Sequence, residues 1–172
     1  MNYYNEYDPV AAERLRLLID AGLIPMGIVD TRSILDVRPQ DLRGFTQCHF
    51  FAGIAGWPLA LRLAGLPDDL PLWTGSPPCQ PFSVAGAGLG ARDSRHLAPA
   101  LLDLIAECRP PMLFGEQVAA AVKKDHWLDA LLIELEEEGY ACAAHVLPAA
   151  GVGAPHKRDR LFFAAFRLDD TE

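Results

Sequence analysis

The chain has 172 residues, 51% hydrophobic and 22% charged, which fits one globular domain with a single core and excludes a disordered chain. Its net charge of -8 disfavours unaided binding to phosphates, and its positive charge is local, in His156-Lys157-Arg158-Asp159-Arg160 and in Arg92 with Arg95. No apolar run nears the roughly 18 residues that span a bilayer. The polar, acidic start predicts no signal peptide, and the scattered Cys48, Cys79, Cys108 and Cys142 predict neither zinc nor disulfides but a reduced, cytoplasmic setting.

Residues 10–21 carry apolar side chains at helical spacing (Leu15, Leu18, Ile19), and Gly22 is placed to end that helix. Residues 24–42 are mixed and punctuated by proline, which predicts a loop with one helical turn. Residues 46–51 predict a strand, and Ala52-Gly53-Ile54-Ala55-Gly56 follows at once. Residues 57–66 predict a helix with Pro58 in its first turn, and residues 70–74 the next strand. Residues 76–94 are a long loop rich in glycine and proline, of a length usually functional or disordered. A helix over 96–108, a short buried strand over 112–115 and a helix over 124–138 ended by Gly139 come next. Strands over 140–147 and 160–166, joined by 148–157, complete the pattern. This alternation predicts an α/β fold, a Rossmann-like, mostly parallel sheet with helices on both faces.

Four segments carry chemistry. His49-Phe50-Phe51-Ala52-Gly53-Ile54-Ala55-Gly56-Trp57 is a strand–glycine–helix unit, which lets a ligand approach the backbone and the helix N-terminus or simply makes a tight turn. Gly75-Ser76-Pro77-Pro78-Cys79-Gln80-Pro81-Phe82-Ser83 holds a thiol in a loop stiffened by prolines. A nucleophile gains from geometry that is set before substrate arrives, and the alternative for Cys79 is a packing role. In Phe114-Gly115-Glu116-Gln117-Val118 a carboxylate follows a buried strand, either at the ligand-binding edge of the sheet or as a first-turn acid. Arg158 and Arg160 alternate on entry to a strand, which predicts that both side chains point to one face, as a binding pair or as a charged edge.

In this order the four segments resemble the DNA (cytosine-5)-methyltransferase family, over roughly residues 46–166. Phe51-Ala52-Gly53-Ile54-Ala55-Gly56 matches its cofactor motif and Pro78-Cys79-Gln80 its nucleophile motif. Glu116-Gln117-Val118 stands for Glu-Asn-Val, and His156-x-Arg158-x-Arg160 for Gln-x-Arg-x-Arg. The stretch from Ala85 to Arg95 looks like the mobile loop after the nucleophile.

The resemblance implies methyl transfer from S-adenosylmethionine to carbon 5 of cytosine in DNA, through a covalent adduct of Cys79 at carbon 6. Glu116 would act at nitrogen 3, Arg158 would contact the base carbonyl, and Arg160 would order the site. It places the cofactor against Phe51 to Trp57 and Pro77, and the base or DNA against Pro78, Gln80, Ser83 and Arg95. No metal is implied. The target cytosine must leave its stack, by flipping or in a single strand.

The chain departs from that family in three ways. Few residues separate Gly53 from Cys79, where the family has further strand–helix units with a ribose-binding acid; Asp68 or Asp69 would have to replace it, unless both are turn residues. The target-recognition region and the last helix of the family have no counterpart at the C-terminus. We expect residues 1–45 to be a helix-and-loop cover replacing that helix, as a circular rearrangement would, and residues 46–172 to be the catalytic core. Third, Gln117, His156, Lys157 and Trp57 differ from the family residues, and His49 is either a satisfied strand histidine or a titrating group. The trimmed size suits a phage or mobile-element enzyme of a bacterial or infected cell, with target recognition either very low or supplied by a second chain. Two other readings remain: a pyrimidine carbon 5 enzyme with another donor, and a non-catalytic, partner-dependent subunit.

Overall fold

A computed structural model of the chain describes residues 1–78, 97–122 and 126–168. The chain opens on a strand, β1 (Asn2–Asn5), with all four residues buried. Asp8 then caps α1 (Pro9–Asp20): its carboxylate accepts from the Ala11 amide at 2.8 Å, with Pro9 in the first turn. The chain returns as β2 (Gly27–Asp30). Gly27 allows the close approach, since a Cβ there would lie 2.3 Å from the Asn2 carbonyl oxygen. Two short 3-10 turns, Ile34–Asp36 and Pro39–Leu42, lead to β3 (Gln47–Phe50).

The glycine-bearing turn joins β3 to α2 (Gly56–Leu63), which is followed by β4 (Leu72–Gly75). Beyond it lie α3 (Ala98–Cys108), β5 (Met112–Val118), α4 (Trp127–Glu137), β6 (Tyr140–Pro148) and β7 (Asp159–Arg167). The predicted strands at 46–51, 70–74, 112–115, 140–147 and 160–166 are therefore β3 to β7, with β5 three residues longer than expected. Of the two later predicted helices, residues 96 and 124 lie outside the described residues.

The described strands form one sheet in the order β2-β1-β3-β4-β5-β7-β6. Pairing is parallel from β2 to β5 and antiparallel at β7. The predicted α/β architecture with a mostly parallel sheet holds. Residues 1–45 need correction: they are not cover alone, because β1 and β2 extend the sheet on the side of β3. Asn2-Tyr3-Tyr4-Asn5, two tyrosines flanked by asparagines, lacks the aliphatic run that marks a buried parallel strand.

Strand alternation assigns the two faces. Tyr3, Cys48, Phe50 and Trp73 lie on one face under α3, α4 and the 3-10 turns, packed with Ile34, Leu101, Leu104 and Trp127. Tyr4 lies on the other, where α1 packs Leu15 against it. Helix α2 is on this second face, since Trp57 packs on Phe114, in the row of Thr74, His49 and Tyr4.

The crossovers therefore differ in hand. The β1–α1–β2 unit moves toward one edge on the Tyr4 face, and β4–α3–β5 moves the other way on the Tyr3 face; these two share a hand. The β3–α2–β4 unit moves toward β5 on the Tyr4 face and has the opposite hand. Crossovers between parallel strands are right-handed in about 98% of cases, so β3–α2–β4 is the exception.

The Tyr4 face also holds a buried polar network. His49 Nδ1 lies 2.9 Å from Thr74 Oγ1 and Nε2 lies 3.2 Å from Gln47 Oε1, which accepts from Asn2 Nδ2 at 3.1 Å. Burial pushes the His49 pKa down to about 3, so the ring is neutral. His49 is the satisfied strand histidine of the two expectations. The Tyr4 ring stacks on it with centroids 5.1 Å apart.

Candidate active site

Ligands of open α/β sheets bind outside the carboxyl ends of the strands. At that edge β3 runs into a turn with three left-handed residues, Phe51 (φ 53°), Gly53 (φ 55°) and Ala55 (φ 65°). Phe51 and Ala55 pay a steric cost there that glycine avoids, of the kind that collects at functional sites. The next strand, β1, ends beside this turn. The Ala52 amide donates to the Asn5 carbonyl at 3.0 Å, and the Gly53 amide to Glu6 Oε2 at 2.7 Å. Glu6 Oε1 accepts from the Asp8 amide at 2.8 Å. Two backbone donors thus fix a half-buried carboxylate at the mouth of a cavity of about 600 Å³. Tyr7, Ile34, Leu35, Phe51, Pro78 and Leu97 supply its apolar walls, with Asn5, Glu6, Asp8 and Ser33 as polar groups.

Sequence reasoning missed Glu6, having looked for an acid after Gly53 in chain order. Asp68 does not fill that role: it pairs with Arg62, Oδ2 to Nη2 at 2.7 Å. Arg62 also donates to the Leu23 carbonyl at 2.6 Å, which pins the end of α2 to the loop after α1. At the end of β2, Asp30 accepts from the Tyr3 hydroxyl at 2.7 Å and pairs with Arg32 at 2.7 Å. Burial works against its charge, but hydrogen bonds from Arg32 and Tyr3 outweigh it and hold the pKa below its ordinary value.

A second cleft, about 290 Å³, adjoins the first and shares Phe51 with it. Trp57, Ser76, Glu116 and Phe162 line it with the backbone of the glycine turn. Glu116 faces Phe162 across the β5–β7 ladder. Its Oε1 accepts from Arg160 Nε at 2.7 Å. Burial raises the Glu116 pKa, and the positive charges of Arg160 and Arg158 only partly oppose this.

Two tethers hold the exit of β4. Trp57 Nε1 donates to Ser76 Oγ at 2.9 Å, and the buried Gln117 Nε2 reaches the Pro77 carbonyl at 3.4 Å. Cys79, Gln80, Ser83 and Arg95 lie outside the described residues.

The arginines need one correction. Arg160 is in β7, but Arg158 precedes the strand with φ 38° and is exposed, so the two are not an alternating strand pair. The structure brings together Glu116, Arg160, Trp57, Ser76 and the glycine turn, with Pro77 and Pro78 alongside. Among the described residues no cluster of metal-ligating side chains is present, and no helix is long and apolar enough to cross a membrane.

Residues 61–172 match the family model described as C-5 cytosine-specific DNA methylase. The chain belongs to this family. Curated relatives are named type II methyltransferases. The type II methyltransferase M.AplI of Arthrospira platensis is 39% identical over 94 residues, covering 54% of this chain and 27% of the relative. M.HhaI of Haemophilus parahaemolyticus is 26% identical over 175 residues, covering 79% of this chain and 53% of the relative. The chain thus spans about a quarter to a half of these relatives.

Among solved structures, a Spodoptera frugiperda DNMT2 mutant superposes with a TM-score of 0.66 at 18% identity, over 99% of this chain and 43% of that one. The Schizosaccharomyces pombe Dnmt2 methyltransferase gives 0.58 at 16% identity, over 100% and 52%. At such identities the likeness establishes the fold alone, over nearly the whole of this chain.

Proposed function

We propose that the chain transfers a methyl group from S-adenosylmethionine to carbon 5 of cytosine in DNA, with Cys79 as nucleophile and Glu116 as the acid at nitrogen 3. One observation carries this reading: Glu116, half-buried and paired with Arg160, lines a cleft that shares Phe51 with a larger cavity beside the glycine turn. On this reading the base site and the cofactor site are adjacent.

The larger cavity fits an adenosyl group. Glu6 presents a carboxylate fixed by two amides, suited to a pair of ribose hydroxyls, as acids at the end of the neighbouring strand do in nucleotide-binding sheets. Tyr7, Ile34, Leu35 and Leu97 offer apolar surface to a purine. A Cβ at Gly56 would meet nothing within 4 Å, so the helix N-terminus is open to a ligand. When bound, the cofactor supplies a sulfonium-activated methyl group, which carbon 5 accepts.

The residues of the chain do the rest. Addition of the Cys79 thiolate to carbon 6 makes carbon 5 nucleophilic. Glu116, with its raised pKa, keeps a proton for nitrogen 3 as charge builds on the ring, and Arg160 orients the carboxyl group. Loss of the carbon 5 proton and elimination of the thiolate then release the product. The net charge of -8 favours a form that engages DNA with a second, basic polypeptide.

Calorimetry with S-adenosylhomocysteine tests the cofactor half. Micromolar binding that Glu6→Gln weakens about tenfold is expected; no binding by the parent chain would refute it. Trapping on 5-fluorocytosine DNA tests the chemistry, and an adduct that survives Cys79→Ala would remove Cys79 from the mechanism.

A further inference from the structure

The described sheet ends on two unlike edges, β2 and β6. An edge strand offers unpaired backbone groups to another chain, and proteins blunt it by shortness, charge, proline or a bulge. Strand β2 is blunted: it has four residues, begins on Gly27 and ends on Asp30. Strand β6 is not. It has nine residues, and Ala141-Cys142-Ala143-Ala144-His145-Val146-Leu147 holds no acid, lysine, arginine or proline. Its register with β7 runs from Tyr140 to Pro148 with no residue skipped, so no bulge turns it away. Both of its faces are open. Ala143, His145 and Leu147 are exposed on one, and Ala144 and Val146 on the other.

We propose that β6 pairs antiparallel with β6 of a second copy of this chain, about a two-fold axis at Ala144, so that the two sheets become one. Side-chain size selects a copy as the partner. The first half of the strand is small (Ala141, Cys142, Ala143) and the second half is large (His145, Val146, Leu147). Self-pairing sets Ala141 against the partner's Leu147, Cys142 against the partner's Val146 and Ala143 against the partner's His145, so no two bulky groups compete for one place. Ala144 is the middle residue of β6, so the whole strand is paired, over about 30 Å. Opposite residues then share parity, which keeps the helices of both copies on matching faces. Charge selects the antiparallel sense. Ahead of β6, Glu134, Glu136, Glu137 and Glu138 outnumber Arg109 and Arg167. Burial and then the Glu136 carboxylate push the Cys142 thiol up, so Glu136 faces the strand. At the far end, Lys157, Arg158 and Arg160 outnumber Asp159 and Glu116, and the Lys157 carbonyl holds the Ala149 amide at 2.8 Å just past the strand. Two-fold pairing lays each acidic end beside a basic one, twice. No residue of β6 lines the Glu6 or Glu116 cavity, so the pairing stands apart from the methyl-transfer reading.

The test is sedimentation velocity of the full chain from about 1 to 100 µM, where a monomer–dimer equilibrium with Kd on the order of 10 µM is expected. Ala144→Lys sets two ammonium groups face to face on the axis and should weaken the dimer at least about tenfold, with the circular dichroism of the monomer unchanged. Glu136→Lys and Lys157→Glu should each weaken it about threefold, and the double variant should regain the parent value. If Ala144→Lys unfolds the chain, this charge exchange decides alone. A chain that is monomeric at about 100 µM overturns the proposal. So does a dimer indifferent to Ala144→Lys, or a double variant no tighter than the single ones. Species that keep growing past two copies would assign the edge to open-ended pairing with β2 and overturn it equally.

Discussion

The neutral His49 makes the fold sensitive to mild acid. Burial lowers its folded pKa from 6.5 to about 3, so in this range the unfolded chain binds a proton that the folded chain refuses. Stability is then complete above the unfolded value and falls as pH drops below it. At about pH 5 the unfolded value lies about 1.5 pH units above the solution, and at about 1.4 kcal/mol per unit the loss is ~2 kcal/mol relative to about pH 8. Protonation would also reverse the bond in which Nδ1 accepts from Thr74, because both ring nitrogens would then be donors and the hydroxyl would have to rotate to accept. For a domain of this size that loss lowers the urea midpoint by about 1 M. The assay is urea unfolding at the two pH values, for the parent and for His49→Asn. The variant is less stable throughout, but its midpoint should move far less between the two conditions. An equal shift in both proteins would refute the assignment of the acid loss to His49.

Further acid should reveal Asp30. Its folded pKa is held below 3.8, so its contribution is present above that value and is lost below it, and Asp30→Asn should flatten the stability curve under about pH 4. Ser76→Ala removes the acceptor of the Trp57 indole N–H and should cost about 1 kcal/mol in chemical denaturation; Trp57→Phe, which also loses ring contact with Phe114 and Phe162, should cost more, and the double variant little more than Trp57→Phe alone. Gly115→Ala places a Cβ 1.9 Å from Phe163 Cζ and should destabilise by about 1–3 kcal/mol, with partial recovery on Phe163→Leu. Glu116→Gln should retain S-adenosylhomocysteine binding while slowing trapping on 5-fluorocytosine DNA by about 100-fold or more.

Much of this molecule is readable from residue order alone. Proline and glycine punctuate β3 to β7 so clearly that their existence and order follow from the chain, and Glu116 stands where the pattern Phe-Gly-Glu-Gln-Val predicts, at the carboxyl edge. The start of the chain is different. Asn2 and Asn5 are polar in sequence but buried in the fold, because Gln47, Asp68 and Arg32 take their side-chain hydrogen bonds from across the sheet. Glu6 was illegible for the same reason. Its role depends on β1 lying beside β3, and local propensity carries no information about which strands become neighbours. Arg158 shows a smaller failure: period-2 alternation holds only inside a strand, and β7 begins one residue later.

The lone crossover of opposite hand bears on how the chain came to have its order. Met1 lies beside β3, its carbonyl accepting from the Thr46 amide at 3.1 Å. Asn2 Nδ2 reaches the Asp68 carbonyl at 3.4 Å, and Leu72 bonds to the Thr46 carbonyl at 3.3 Å. The start of β1, the loop after α2 and the entries to β3 and β4 therefore meet in one corner. If residues 1–45 were read between Pro67 and Leu70, α2 would lead into β1 on the Tyr4 face, and the 3-10 turns would lead from β2 to β4 across the Tyr3 face. Every crossover would then share one hand, with no element moved. A gene reshuffle at this corner exchanges only which strand is synthesised first. The cofactor-binding edge would leave the ribosome before the nucleophile in both orders, but with Glu6 ahead of the glycine turn in one and behind it in the other, so the two orders would differ in folding route while arriving at the same site.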